Sequence, residues 1–393
     1  MSAHAASLDT AREGVLDTAR EGVPDKASVL AEIRARRGEF ESQQHVSRDI
    51  IEKLQALGIY RAFVPADLGG DELSPSAFCR LIEEISIADG STGWVASFGV
   101  SAAYLAALPV ATFREIYGNS PNTVFAGGLF PAQEAKRVDG GFLVNGRWKY
   151  GSGCMGASVI GVGITVAGGD TGGLPRMAVM PADKVRIEPN WDVMGMVATG
   201  SHDLVVDNVV VPEDWTFIRG GKPNLDQPIY RYPALALAAQ VLAVVGLGVA
   251  RSALDEFIDK AGPRPGITGA PGLADRAYVQ SGLAKAEATL RSARAWFYEA
   301  TDEAWEVLTR GEALSVKQTA ALRLAATNAA HVGATVTRTA FELAGTPSIM
   351  VGHPLLRLLN DAMVVAQHAF LGEGTWQSGG RVLLNLPSQP GYP

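Results

Sequence analysis

Two side chains able to move protons lie five residues apart near the C-terminus: His368 and Glu373, in RLLNDAMVVAQHAFLGEGTWQSGG, Arg357 to Gly380. On a single α-helix, five residues turn a side chain by roughly 500°, leaving the pair about 140° apart in projection. One helix would not aim both squarely at one reaction centre. The imidazole suits hydrogen bonding or proton shuttling near neutral pH. The carboxylate suits abstraction of a proton from carbon. Arg357, Asp361, Val364 and His368 fall on one stripe at spacings of four, three and four, with Asn360 and Gln367 beside it. Leu355, Leu358, Leu359, Ala362 and Ala366 fill the opposite face. An amphipathic helix with a solvated polar stripe explains that pattern as well. The apolar neighbours in AQHAF nevertheless put the imidazole near a buried edge. Gly372 and Gly374 bracket Glu373 and predict a helix end or kink there.

Other residue groups suit a flat or anionic ligand. In GRWKYGSGCMG the small residues Gly151, Ser152 and Gly153 let backbone approach a ring closely, and Ser152 adds a hydroxyl. On spacing alone, a glycine-rich strand exit with a solvated serine is the simpler reading. TGSHD, Thr199–Asp203, reads as a turn, with His202 a structural hydrogen-bonder. Arg264 stands in a Gly/Pro linker and reads as exposed. GTPSI, Gly345–Ile349, reads as a helix–helix turn whose N–H groups and Ser348 hydroxyl can meet a phosphate. No GxGxxG opens a βαβ unit, so a tightly built nicotinamide site is not expected. Cys79 and Cys154 lack metal-ligand spacing, and no metal is expected.

The elements that must position these groups change character twice. From about Lys26 to Gly118 the period is helical: DIIEKLQALGIY repeats Ile50, Ile51, Leu54 and Leu57 and stops at Gly58. Ser74 and Pro75 open a helix that closes on Gly90. STGWVASFGVSAAYLAALP is apolar on nearly every side and predicts a buried helix. From Asn122 to about Phe217 the period is two. Asn145–Gly146 gives a hairpin signal, and short connections predict antiparallel pairing. After Tyr230 four long helical segments follow: Tyr232–Ala261, Ala274–Gly311, Ser315–Gly345 and His353 to about Leu371. They predict an up-down bundle. The fold class is α+β, with a leader at 1–27, a helical domain at 28–121, a β-domain at 122–229 and a helical bundle at 230–393.

Composition agrees with a multi-domain globular chain: 393 residues, 47% hydrophobic and 19% charged. A net charge of −7 argues against nucleic acid or an anionic membrane as partner. Two cysteines and the absence of a signal-peptide pattern predict a reduced cytoplasm. LDTAREGV occurs in tandem at Leu8–Val15 and Leu16–Val23, which we read as a duplication in a frayed leader. Pro233–Ala250 is Ala-rich, apolar and interrupted by Gln240; it predicts a bundle helix rather than a membrane span. Apolar on several faces, it also predicts burial against other subunits.

This order of elements resembles the acyl-CoA dehydrogenase fold, from about Ser28 to the end. The matching stretches are ADLGGDELSPSAF, DGSTGWVASFGV, VDGGFLVNGRWKYGSG, WDVMGMVATGSHDLVVDNVVVPE and GTPSIMVGHPLLRLLNDAMVVAQHA. Within that fold the chain is most similar to flavin-dependent monooxygenases that take reduced flavin, FMN or FAD, from a separate NAD(P)H:flavin reductase. Members act on 4-hydroxyphenylacetate, a phenolic seco-steroid and dibenzothiophene.

The resemblance implies chemistry through a C4a-hydroperoxide formed with O₂, on a small aromatic or heterocyclic substrate, in a homotetramer with flavin sites near subunit boundaries. It implies His368 facing flavin and substrate, where it would orient or deprotonate the substrate, and Ser152 holding the hydroperoxide. Trp148, Gly153, Thr199, Ser201, Arg264 and Ser348 would contact the cofactor, and Trp94 and Ser101 would line the substrate pocket. Ser101 stands where several such enzymes have histidine, and Asn360–Asp361 where Arg–Asp is usual. Two alternatives stay open: an FAD-dependent acyl-CoA dehydrogenase with Glu373 as base, through its Glu-Gly-Thr segment, and a non-catalytic flavin-fold binding protein.

Overall fold

A computed structural model describes residues 23–168, 175–262 and 271–389. The tandem leader, except Val23, and Arg264 lie outside the described residues. The N-terminal unit comprises α1 (Lys26–Ala35), α2 (Arg37–Gln43), α3 (Arg48–Ala56), α4 (Pro75–Ala88), α5 (Gly90–Ala96), α6 (Ser101–Leu105) and α7 (Val110–Gly118). Ser74 caps α4 by accepting from the Ala77 N–H, and Asp89 caps α5 by accepting from Thr92. The apolar run after Asp89 is broken where a single helix was expected: a tight turn, Ser97–Val100, separates α5 from α6. Hydroxyls of Ser97 and Ser101 donate to the carbonyls of Trp94 and Phe98, three residues back, in keeping with the tighter winding.

The sheet comprises β1 (Phe125–Val138), β2 (Gly141–Trp148), β3 (Val159–Val166), β4 (Arg176–Pro181), β5 (Arg186–Glu188), β6 (Asp203–Val211) and β7 (Thr216–Ile218), in the order β5-β6-β2-β1-β3-β4-β7. Two expectations are corrected here. Asn145–Gly146 makes no turn; it lies inside β2 at a register shift against β6, and the β1–β2 reversal falls at Asp139–Gly140. Nor is the sheet wholly antiparallel, because β1 and β3 run parallel. With β2 occupying one side of β1, β3 takes the other, and the chain must cross over to reach it. That crossover, 149–158, carries Gly151, Ser152 and Gly153.

The C-terminal unit comprises α8 (Pro228–Arg231), α9 (Ala234–Lys260), α10 (Ala277–Thr309), α11 (Val316–Ala344), α12 (Pro354–Ala366) and α13 (Glu373–Leu383). Ser315 and Gln318 form a capping box on α11. By length and composition α9 could cross a membrane, yet it is packed inside the chain against α4, α11 and α12. Its one interior amide, Gln240, accepts from Tyr232 Oη at 2.9 Å and donates to Thr301 Oγ1 at 2.6 Å. The apolar faces of α9 are therefore largely covered within the chain, contrary to the expectation that they wait for other subunits. α12 also stops earlier than expected. Gln367 closes it, His368 is extended at φ −64°, ψ 137°, and a short turn, Ala369–Leu371, leads to α13.

Candidate active site

The break after α12 changes the geometry of His368 and Glu373. They do not share a helix, so the angle between them is set by the intervening turn. His368 caps that turn, its Nδ1 accepting from the Phe370 N–H at 3.3 Å. Its ring meets Trp94 edge to face at 5.6 Å between centroids, and Phe370 at 5.0 Å. Burial chiefly, and the Arg219 charge next, pull the imidazole down to about 4. It is neutral at physiological pH. With Nδ1 accepting, the single proton of the neutral ring resides on Nε2, which becomes a hydrogen-bond donor. Glu373 begins α13 and is exposed.

Beside α5, whose Trp94 meets this histidine, two segments are stapled together. Gly151 N–H donates to the His202 carbonyl, Gly153 N–H to that of Thr199, and the Cys154 thiol to that of Gly200. Gly153 takes φ +72°, and a Cβ built there would lie 3.4 Å from Val95. The hydroxyls of Thr199, Ser201 and Ser152 form a buried chain, 2.7 Å and 2.6 Å from one to the next. Thr199 donates to the Met196 carbonyl at 2.8 Å, which fixes the direction of the rest. Ser201 must then donate to Thr199, and Ser152 to Ser201. The Ser152 oxygen keeps its lone pairs as an acceptor. Such a row of small residues with one oriented acceptor fits the edge of a reduced isoalloxazine, which offers N–H donors.

α12 holds the two halves in register. Asp361 accepts from the Met196 N–H at 2.5 Å, and Arg357 pairs with Asp89, the cap of the helix bearing Trp94, at 3.1 Å. Gly195 packs directly on α12; a Cβ there would lie 2.4 Å from the Asn360 carbonyl carbon. Burial pushes the Asp361 carboxyl up to about 7, against the opposing charge of Arg357.

Other expected contacts fall elsewhere. Trp148 is wholly buried in the sheet core, its indole N–H donating to the Gly163 carbonyl at 2.6 Å, so it offers no face to a cofactor. Ser348 is buried and turned inward, donating toward the carbonyls of Gly345 and Phe341, and presents no hydroxyl to a phosphate. Ser101 is buried, with its hydroxyl engaged by Phe98, and presents no free hydroxyl to a substrate. His202 accepts at Nδ1 from the N–H groups of Asn190 and Trp191, both 3.1 Å.

Sequence reasoning passed over Arg219 and Tyr104. The Arg219 guanidinium lies 3.8 Å from the Tyr104 ring centroid, and both line a cavity of about 450 Å³. The available signal was the cation of Arg219 at the end of a strand, just before Gly220–Gly221 and Lys222.

Comparison with known proteins places this site in a family. Residues 16–113 match the acyl-CoA dehydrogenase N-terminal domain, and residues 240–373 the acyl-CoA dehydrogenase C-terminal domain. An indole-3-acetate monooxygenase of Pseudomonas putida is 58% identical over 91% of this chain and 92% of its own. One from Acinetobacter baumannii is 51% identical over the same shares. The crystal structure of a 3-HSA hydroxylase from Rhodococcus sp. RHA1 superposes with a TM-score of 0.84 at 25% identity, over 92% of this chain and 96% of that one.

Proposed function

The chain belongs to the acyl-CoA dehydrogenase family and is a flavin-dependent monooxygenase that uses reduced flavin supplied by a separate reductase; from that premise we propose that its substrate is an indole bearing a short carboxylic acid, indole-3-acetate or a close analogue. Two relatives of more than half identity across nearly the whole chain carry that activity in their names. When bound, the reduced flavin supplies the electrons that split O₂, one oxygen atom entering the substrate and the other leaving as water.

The residues of this chain divide the remaining work. Ser152, its proton committed to Ser201, accepts from a flavin N–H and thereby favours the reduced cofactor over the oxidised one. His368 donates from Nε2 to the oxygen-bearing or polar edge of the reacting pair. A ring held neutral and acidic is a poor base, so orientation rather than deprotonation is its role. An indole carbon needs no hydroxyl proton removed beforehand, which fits that assignment. Trp94 and Phe370 wall the histidine with apolar surface and keep water from the reacting atoms. The observation that carries this reading is the neutral, aromatic-walled His368 against Trp94 of α5, with Gly153, beside the oriented Ser152 acceptor, packed on the next residue of that helix, Val95. Glu373, exposed at the start of α13, is poorly placed to act as a dehydrogenase base.

We further propose a homotetramer. Apolar side chains stay exposed at the α11–α12 turn, Met350 at 65% and Val351 at 98%, and at the end of α13, Leu383 at 70% and Leu384 at 72%. Such surface is ordinarily covered by another subunit.

The test of substrate class supplies reduced flavin, isotopically labelled O₂ and a panel of aromatic acids and phenols. Indole-3-acetate should gain one labelled oxygen. Hydroxylation confined to phenols, with indolic acids untouched, would overturn the substrate reading.

A further inference from the structure

Arg219 is held in place on Tyr104 but makes no ion pair among the described residues. Its backbone follows β7, and its N–H donates to the Pro175 carbonyl at 2.8 Å. The segment after it is clamped to the end of α6: Asn224 donates from its backbone to the Ala106 carbonyl, and from its amide to those of Ala107 and Leu108. The guanidinium lies over the Tyr104 ring, a cation–π contact that holds it without neutralising it. Its Nε is buried with no hydrogen-bond partner among the described residues. Of the other charged groups lining the cavity beside it, Arg231 donates to the Leu308 carbonyl at 3.3 Å, while Lys222 and Asp226 are exposed to solvent. A half-buried guanidinium with an orphaned donor is costly unless an anion meets it.

The position points the same way. Arg219 and Tyr104 form one wall of the 450 Å³ cavity, a size within the roughly 300–1,000 Å³ usual for small-ligand sites. Tyr104 follows Trp94 along the α5–α6 run, and Trp94 touches His368. The charge of Arg219 is itself felt at His368. The cation therefore stands within electrostatic reach of His368.

We propose that Arg219 is the carboxylate-binding residue of this enzyme: its guanidinium takes the acid group of the aromatic acid in the cavity beside Tyr104, and so directs the ring toward His368. Guanidinium and carboxylate match as two parallel N–H···O bonds, which fixes orientation as well as charge. The inference rests on the indolic-acid reading above. It adds a reason for acid specificity: indole-3-acetamide and indole lack the charge that Arg219 selects.

The experiment compares wild type, Arg219→Met and Arg219→Lys, each checked for an unchanged melting temperature, with indole-3-acetate and indole-3-acetamide as substrates. For Arg219→Met the KM for the acid should rise on the order of 10²-fold, the scale of a charge-assisted hydrogen bond lost from a shielded pair. The KM for the amide should change less than about threefold, because its loss lies outside the charged contact. Arg219→Lys should recover part of the acid affinity and none of the bidentate orientation. Reduced-flavin binding should match wild type in both variants. If wild type turns over indole-3-acetate while Arg219→Met keeps its KM, the Arg219 assignment fails and the substrate reading stands. If wild type does not turn over the acid at all, the substrate reading itself fails. If Arg219→Met loses reduced-flavin affinity instead, the guanidinium serves the cofactor phosphate and the assignment is overturned.

Discussion

Trp94 and His368 meet edge to face, 5.6 Å between ring centroids, although 274 positions separate them (368 minus 94). One ring comes from a helix capped by Asp89, the other from the residue that caps the turn after α12. Arg357 binds the cap of the first helix from within the second. The contact thus reports how two distant helices are docked, and the histidine works only where that docking puts it.

His368→Ala should lower product formation by about 10²-fold, the usual scale for a positioned polar group at a reacting centre. Oxygen uptake should continue, with its electrons lost to hydrogen peroxide. Glu373→Gln should leave the ratio of product to oxygen consumed near that of wild type. Product and peroxide measured in one oxygen-uptake assay decide this; loss in the glutamine variant alone would name the glutamate as the base.

Ser152→Ala removes the oriented acceptor. Reduced-flavin affinity should fall roughly fivefold to tenfold, the range for one net hydrogen bond, with oxidised flavin affected less. Anaerobic titration of both redox states checks it. An equal loss in the two states would mean that Ser152 does not read the reduced ring.

Asp361 holds a folded-state carboxyl near 7, above the ordinary 3.8. A carboxyl raised in this way contributes stability below pH 3.8, and that contribution is lost as pH rises through about 7. Asp361→Asn keeps an acceptor for the Met196 N–H but cannot ionise. The melting temperature of the variant relative to wild type should therefore climb between pH 5 and pH 8. A constant difference across that range would remove Asp361 as the titrating group.

Asp89→Ala removes both the α5 cap and the partner of Arg357. The loss should be about 3 kcal/mol, combining a cap with a broken buried ion pair. Urea unfolding measures it. A change under about 0.5 kcal/mol would mean that α5 is held by packing alone.

Assembly should appear as a particle near four times the 41.4 kDa chain in light scattering at micromolar concentration. Val351→Asp should shift it toward smaller species. A monodisperse monomer for wild type would leave the exposed apolar turns without a tetramer to explain them.

What the sequence determined by itself was local or compositional. Helix caps such as Ser74 and Ser315, the switch from helical to strand periodicity, and the small-residue stretch at Gly151–Gly153 depend on neighbours within a few residues. Such signals survive without knowledge of the fold. The five matching stretches carried the family for the same reason. The pairing of strands was not local: β3 runs parallel to β1 because β2 already occupies the other side, and no dipeptide records that. The side-chain roles at the site were decided by contacts between elements remote in sequence. Trp148 could read as a cofactor ring until the sheet closed over it, and Ser348 as a phosphate donor until its hydroxyl turned inward. Arg219 gave only a cation before two glycines, with Lys222 just beyond. It became a binding residue only when β7 and the Asn224 clamp set it against Tyr104, where burial leaves its Nε wanting an anion.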